Sequence, residues 1–125
     1  ASIVEKESGQ ADDRRKIARV FLNRLAKGMR LQSDPTVIYG LGKAFDGDLK
    51  RNHLRSDGPF NTYTRFGLPP TAIANPGLDA IKAVLYPSPG DWLYFVGRGD
   101  GTSQFSVDLK SHRRAVNRYQ LGMSP

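Results

Sequence analysis

Two carboxylates close to each other in the opening residues, Ala1-Ser2-Ile3-Val4-Glu5-Lys6-Glu7-Ser8-Gly9, are the first groups in this chain that can do acid–base chemistry. Read as a helix, Ile3 and Val4 precede Glu7 by four and three residues and share its face, whereas Glu5 points to another side. A helix that buries Ile3 and Val4 therefore carries Glu7 at the edge of its apolar stripe. Partial burial disfavours the charged carboxylate, raises its pKa and keeps a proton available for general acid catalysis. The plainer alternative is a solvated helix end in which Ser2-x-x-Glu5 forms a capping box. These nine residues leave both readings open.

A second polar group follows in Leu31-Gln32-Ser33-Asp34-Pro35-Thr36-Val37-Ile38-Tyr39-Gly40. Gln32, Asp34, Thr36 and Tyr39 gather hydrogen-bonding groups around a stiffening proline, and Asp34 can cap a short helix beginning at Pro35. This is either a capped turn or a wall that holds hydroxyl and amide groups. Farther on, Asn61-Thr62-Tyr63-Thr64, Gly67-Leu68-Pro69-Pro70 and Asn75-Pro76-Gly77 are too rich in rigid turns for a helix or a central strand. Stiff loops often carry binding groups on a fixed scaffold, which makes Asn61 and Tyr63 candidate ligand contacts. Asn61 can instead close its own turn by bonding the backbone two residues on.

The elements that must position these groups follow from periodicity and punctuation. Asp12 or Asp13 can cap a second helix running to about Lys27, with Ile17, Ala18, Phe21, Leu22 and Leu25 inward and Gly28 as its C-terminal cap. Arg14, Arg15, Lys16, Arg19 and Arg24 fall mostly elsewhere, as solvated charge or a nucleic-acid face. Residues 41–60, with a short helix around Leu49 to Leu54, read as an exposed excursion that leaves His53 on the surface. A helix after Gly77 puts Leu78, Ile81, Val84 and Leu85 on one side and stops at Pro87 and Pro89. Trp92–Val96 reads as a buried strand returning through the Asp100-Gly101 turn to Gln104–Val107. Asp108 can cap a last helix from Leu109 to Leu121, with Leu109, His112, Val116 and Tyr119 on one face and His112 as a hydrogen-bonded core residue. The spaced glycines 97, 99 and 101 lack the pattern of a phosphate loop, and Arg98-Gly99-Asp100 is a chance tripeptide.

The totals fit that plan. A chain of 125 residues, 38% hydrophobic and 25% charged, makes one globular domain with its own core. No apolar run is long enough to span a bilayer. Without cysteine there is no disulfide or thiol chemistry, and His53 and His112 match no metal-ligand spacing, so neither a metal nor a cofactor is expected. The net charge of +7 favours anionic partners of any class. The fold class is α+β, a compact single domain of several helices with a small sheet that includes a hairpin near 92–107. The rival to an enzyme is a non-catalytic basic module binding glycan or nucleic acid, although no nucleic-acid motif is present.

The opening helix, Leu31–Gly40, Asn61–Thr64 and Gly67–Pro70 together resemble the YceG-like (MltG) family, the membrane-anchored endolytic murein transglycosylases of bacteria. The match continues through Ile73, Asn75-Pro76-Gly77, Leu93–Val96 and His112. One position departs from it: Ser103 stands where members commonly carry a histidine. The resemblance implies an excised catalytic domain over 1–125, lacking an upstream membrane anchor and LysM-like subdomain. It implies cleavage of the β-1,4 bond between N-acetylmuramic acid and N-acetylglucosamine, leaving 1,6-anhydro ends, to terminate or trim nascent strands. One glutamate then serves as acid and afterwards as base. Glu7 is the choice, with Glu5 second, and Glu7-Ser8 also resembles the Glu-Ser of other lytic transglycosylases. Gln32, Asp34, Thr36, Tyr39, Asn61 and Tyr63 would hold the sugar. The implied partners are peptidoglycan strands and, through the full-length protein, peptidoglycan synthases, on the outer side of the bacterial inner membrane. Nucleic acid is not expected, and membrane contact would come only through the missing anchor.

Overall fold

The computed structural model describes residues 1–7 and 11–119. Ser8, Gly9 and the segment 120–125 lie outside them, and with these the expected stop at Gly9, the Glu-Ser pair and the end of the last helix at Leu121. The elements run α1 (Ser2–Glu7), α2 (Ala11–Ala26), α3 (Asp34–Leu41), a 3-10 turn at Gly42–Ala44, α4 (Arg51–Arg55), α5 (Leu78–Leu85), β1 (Tyr94–Gly97), β2 (Ser103–Ser106) and α6 (Leu109–Tyr119). This is the expected α+β domain. Its sheet, among the described residues, is one antiparallel hairpin pairing Tyr94 with Ser106 and Phe95 with Phe105. No helix among them is long and apolar enough to cross a membrane.

Helix α2 is the axis of the fold. Its stripe of Ile17, Ala18 and Phe21 packs with Ile3 and Val4 of α1, with Leu31 and Ile73, and with Ala80 and Ala83 of α5. Phe21 meets Phe95 of β1 edge-on, with ring centroids 5.8 Å apart. Gly28, at φ +71°, ends α2 as expected: its N–H bonds Leu25 O and that of Met29 bonds Arg24 O, the paired bonds of a Schellman motif. At the other end the expected cap is not made by Asp12 or Asp13, which sit inside the first turn. The Asp13 carboxylate instead accepts the Ser103 N–H at 2.8 Å and ties α2 to β2.

The polar side of α2 grips the extended segment 86–93 that leads into β1. Arg15 Nε donates to Tyr86 O (2.6 Å), Arg19 Nε to Ser88 O (2.8 Å) and Arg24 Nε to Leu93 O (2.6 Å). Asn23 Nδ2 reaches both Gly90 O and Trp92 O. Positions 15, 19 and 23 recur every four residues, one row along a helix. Arg15, Arg19 and Arg24 are therefore backbone clamps, Arg15 while it stays exposed as solvated charge and Arg24 in a buried position.

Other expectations need correction. Ser2 and Glu5 do not form a capping box, because each bonds a distant backbone N–H: Ser2 Oγ accepts from Ile73 (3.1 Å) and Glu5 Oε1 from Gly77 (2.5 Å). Helix α3 is capped at Ser33 and starts at Asp34, which places Pro35 at its second position. The first strand begins at Tyr94 rather than Trp92, and the second spans Ser103–Ser106. In α5 the inward face is Ala80 and Ala83, each 1% exposed, while Leu78 and Leu85 are about two-thirds exposed (65% and 66%). Small side chains let α5 lie close on α2, and that proximity outweighs the larger burial its leucines would give elsewhere. Enlarging Ala83 to Leu should cost about 1–3 kcal/mol through overpacking, while Leu85→Ala should shift the denaturation midpoint little. Chemical denaturation of both variants checks this ranking.

Candidate active site

Glu7, the last described residue of α1, lines a cavity of about 310 Å³. Gln32 from the loop before α3, Asp34 from the first turn of α3, Tyr63 from a later loop, Arg24 and Phe21 from α2, Tyr94 from β1 and His112 from α6 share its lining. Burial is the main influence on the Glu7 carboxyl and pushes its pKa up to about 7, from an ordinary 4.5. The Ser33 hydroxyl, donating to Oε1 at 2.9 Å, opposes that rise, and the negative charge of Asp34 adds to it.

Ser33 is held by a closed ring of hydrogen bonds. Its N–H donates to Thr62 Oγ1 (2.9 Å), and its carbonyl accepts the Thr36 hydroxyl (2.7 Å). The two threonine oxygens lie 2.9 Å apart. With the Thr36 proton committed to Ser33, Thr62 must donate to Thr36. Gln32, just before this ring, has a left-handed backbone (φ +53°), the one such non-glycine among the described residues. Backbone held in that region by its surroundings is often found at functional sites.

The other oxygen-bearing groups divide by position. Tyr63 donates its hydroxyl to Asp34 Oδ1, and burial together with that bond pushes the phenol pKa up, so it stays protonated. Thr36 is fully buried inside the Ser33 ring and does not reach the cavity. Tyr39 packs on Phe60 at 4.9 Å and lines a separate hollow with Lys6, Pro35 and Ile38. Asn61 is buried away from Glu7. Its amide nitrogen donates to Leu54 O (3.0 Å) and Ser56 O (2.7 Å), and its Oδ1 accepts from the N–H groups of Tyr63 (2.8 Å) and Thr64 (3.2 Å). The turn-closing alternative for Asn61 is thus the one found, and the turn it closes presents Tyr63. Glu5 faces Gly77 at the start of α5, outside the cavity. Ser103 is also away from it. No group of three or more metal-ligating side chains occurs among the described residues.

Arg24 and His112 are the lining residues that motif reading assigned elsewhere. Arg24 is 6% exposed; its Nη1 donates to Arg30 O (2.7 Å) and Gln32 Oε1 (3.3 Å), and its guanidinium lies 4.9 Å from the Tyr94 ring centre. The signal for it was present, since Arg24 lies three residues after Phe21 and seven after Ile17, on the buried stripe itself. His112 stacks on Tyr94 at 4.9 Å, but its Nδ1 is buried without a hydrogen-bond partner, contrary to the bonded core histidine expected.

An α+β scaffold that raises the pKa of one carboxyl in a cleft to about 7, beside a second carboxylate bonded to a tyrosine, has the design of a domain for acid-assisted chemistry on a polar substrate. The YceG-like family profile matches residues 1–118, and this chain belongs to that family. It is 45% identical over 119 residues to an endolytic murein transglycosylase of Bacillus subtilis, covering 95% of this chain and 33% of the relative. The corresponding protein of Streptococcus pneumoniae is 37% identical over 124 residues, covering 93% and 22%. A YceG-like protein of Listeria monocytogenes, solved by crystallography, superposes with a TM-score of 0.81 at 46% identity, over 90% of this chain and 36% of that one. The chain thus spans about a third or less of the length of these relatives.

Two stability predictions follow from the geometry. Asn61→Asp turns a donor that bonds carbonyls into a carboxylate that repels them, so it should lower the melting temperature as much as or more than Asn61→Ala. A buried group left unpaired costs about 1–3 kcal/mol. For Glu7 the folded state binds its proton more tightly than the unfolded chain, so stability must fall as pH rises from about 4.5 to about 7. Glu7→Gln keeps the acceptor for Ser33 and never ionises. It should therefore equal the native protein near pH 4 and exceed it at pH 8 by up to about 3 kcal/mol, at ~1.36 kcal/mol per pKa unit. Parallel urea titrations at the two pH values measure the gap.

Proposed function

We propose that this domain is the catalytic part of an endolytic murein lytic transglycosylase, with Glu7 as its proton-transfer group. The observation that carries the reading is that Glu7 lines the cavity with its carboxyl largely buried, which raises its pKa to about 7. The names of the Bacillus and Streptococcus relatives supply the substrate, murein.

In this reading Glu7 protonates the oxygen that links C1 of N-acetylmuramic acid to N-acetylglucosamine, and the C1–O bond breaks. Positive charge gathers at C1, and the Asp34 carboxylate, held by the Tyr63 hydroxyl, offers it a fixed negative partner. Glu7, now a carboxylate, takes the proton from the C6 hydroxyl of the same muramic acid, and that oxygen closes onto C1. The products are an N-acetylglucosamine hydroxyl and a 1,6-anhydro end, and no water is consumed. A hydrolase would need a second carboxylate to activate water or attack C1. Asp34 is the other carboxylate lining the cavity, with one oxygen bonded by Tyr63. The catalytic glutamate would act outside the cytoplasmic membrane on nascent strands, within a longer protein that places it beside peptidoglycan synthases.

Digestion of purified murein followed by mass spectrometry tests the chemistry. New ends should be one water lighter than reducing ends, and long strands should be cut internally; a majority of reducing ends would make the domain a hydrolase. Glu7→Gln should lower kcat/KM by about 10²–10⁴-fold, the usual worth of a positioned general acid. Glu5→Gln keeps an acceptor for Gly77 and should cleave almost normally. The native rate should decline above about pH 7, as Glu7 loses its proton.

A further inference from the structure

The cavity's lining is of two kinds. Glu7, Gln32, Asp34 and Tyr63 carry the oxygen chemistry. Val20, Phe21, Leu93 and Phe95 bring hydrocarbon to a wall that they share with the Tyr94 phenol and with His112. Arg24 links the two groups, bonded to Gln32 and lying over Tyr94.

His112 is fixed in this wall rather than lying loosely on it. Its ring is within 22° of parallel to Tyr94, and Asp108 bonds the Ser111 N–H (2.7 Å) to cap the helix that carries it. The enclosed Nδ1 has no acceptor for a proton, so the proton of the neutral ring belongs on Nε2. Nε2 has no protein partner and is not enclosed, and His112 is one of the residues that line the cavity. Burial and the nearby Arg24 charge both lower the imidazole pKa and keep the ring neutral. One N–H donor next to the hydrocarbon part of this wall complements a group with a carbonyl oxygen beside a methyl.

We propose that His112 donates Nε2–H to the acetamido carbonyl of an N-acetylated sugar, whose methyl packs on the wall beside Tyr94, making His112 a specificity-determining residue. The assignment deepens the transglycosylase reading and rests on it for the substrate class. A sugar with a free amine in place of the acetamide would lose both the acceptor and the methyl, and its ammonium would meet the buried Arg24 cation. A site that supplies a donor for the substrate's acceptor disfavours analogues that lack the acceptor.

The test crosses two substrates with two proteins. Native protein should cleave N-acetylated murein at least about tenfold faster than the same murein chemically de-N-acetylated, as expected for a lost hydrogen bond plus a lost methyl contact. His112→Phe keeps a flat ring for the Tyr94 stack and removes the donor, so it should bring that ratio within about threefold. An unchanged ratio in His112→Phe overturns the proposal. A second measurement separates it from the cleavage reading and from any folding defect. In 15N NMR of the Glu7→Gln protein, a tetrasaccharide of alternating N-acetylglucosamine and N-acetylmuramic acid should shift the His112 Nε2 resonance, and the de-N-acetylated tetrasaccharide should not. That response without any cleavage by native protein supports the acetamide site and removes the transglycosylase. Cleavage with a silent imidazole removes the acetamide site alone.

Discussion

A carboxyl group that is to stay protonated near neutral pH must be shielded from water, yet it needs one donor to fix its direction. In this domain the shielding of Glu7 comes from the packing of α1 on α2, and the direction comes from Ser33. The two influences oppose each other: burial raises the pKa and the serine bond lowers it, and burial prevails. The Ser33–Thr62–Thr36 ring then becomes intelligible as a device that stops the serine from turning away. Gln32, in its left-handed conformation, precedes that ring so that its side chain and the serine can serve different neighbours.

Arg24 answers a different demand. A cavity bounded by four helices, a hairpin and the loops between them must be kept at one width, and apolar contacts alone permit sliding. The guanidinium bonds Leu93 O, Arg30 O and Gln32 Oε1 while resting on Tyr94, so one side chain sets the spacing of the three segments. Its charge also reaches His112, which ties the ionisation of the apolar wall to the same group. Below it, Arg15, Arg19 and Asn23 repeat the device along the helix and bring the chain into β1. The surplus of basic residues on α2 is thus partly structural.

Sequence patterns revealed the parts of this site that rest on local rules. The three-and-four spacing of Ile3 and Val4 to Glu7 placed that carboxyl at a buried edge, and the turn chemistry around Asn61 and Pro69 kept the middle of the chain free of regular structure. Tertiary partners were hidden from such rules. Nothing near Thr36 indicates that Thr62 will face it, and Asn61 looks equally suited to a ligand or to the carbonyls of Leu54 and Ser56 at the end of α4. Helix α5 misled in another way, since hydrophobicity pointed to its leucines while the close approach to α2 selected its alanines. Arg24 was legible by spacing and was set aside for its charge. An arginine on a buried stripe calls for a search for the carbonyls it will meet.

The described part of helix α1 is the six residues Ser2–Glu7. Its polar anchors lie far along the chain: Ser2 on Ile73 and Glu5 on Gly77, 71 and 72 residues away, while Arg24 reaches 69 residues to Leu93. Closing loops of that length costs entropy before any contact rewards it, so these pairings belong to the late part of folding. A chain emerging from synthesis or translocation amino-end first would carry Glu7 long before it could shelter it. Until residues 73–93 dock, that glutamate is an ordinary solvated carboxylate with an ordinary acidity. The raised pKa of Glu7 is therefore a property of the completed fold and not of the opening residues by themselves.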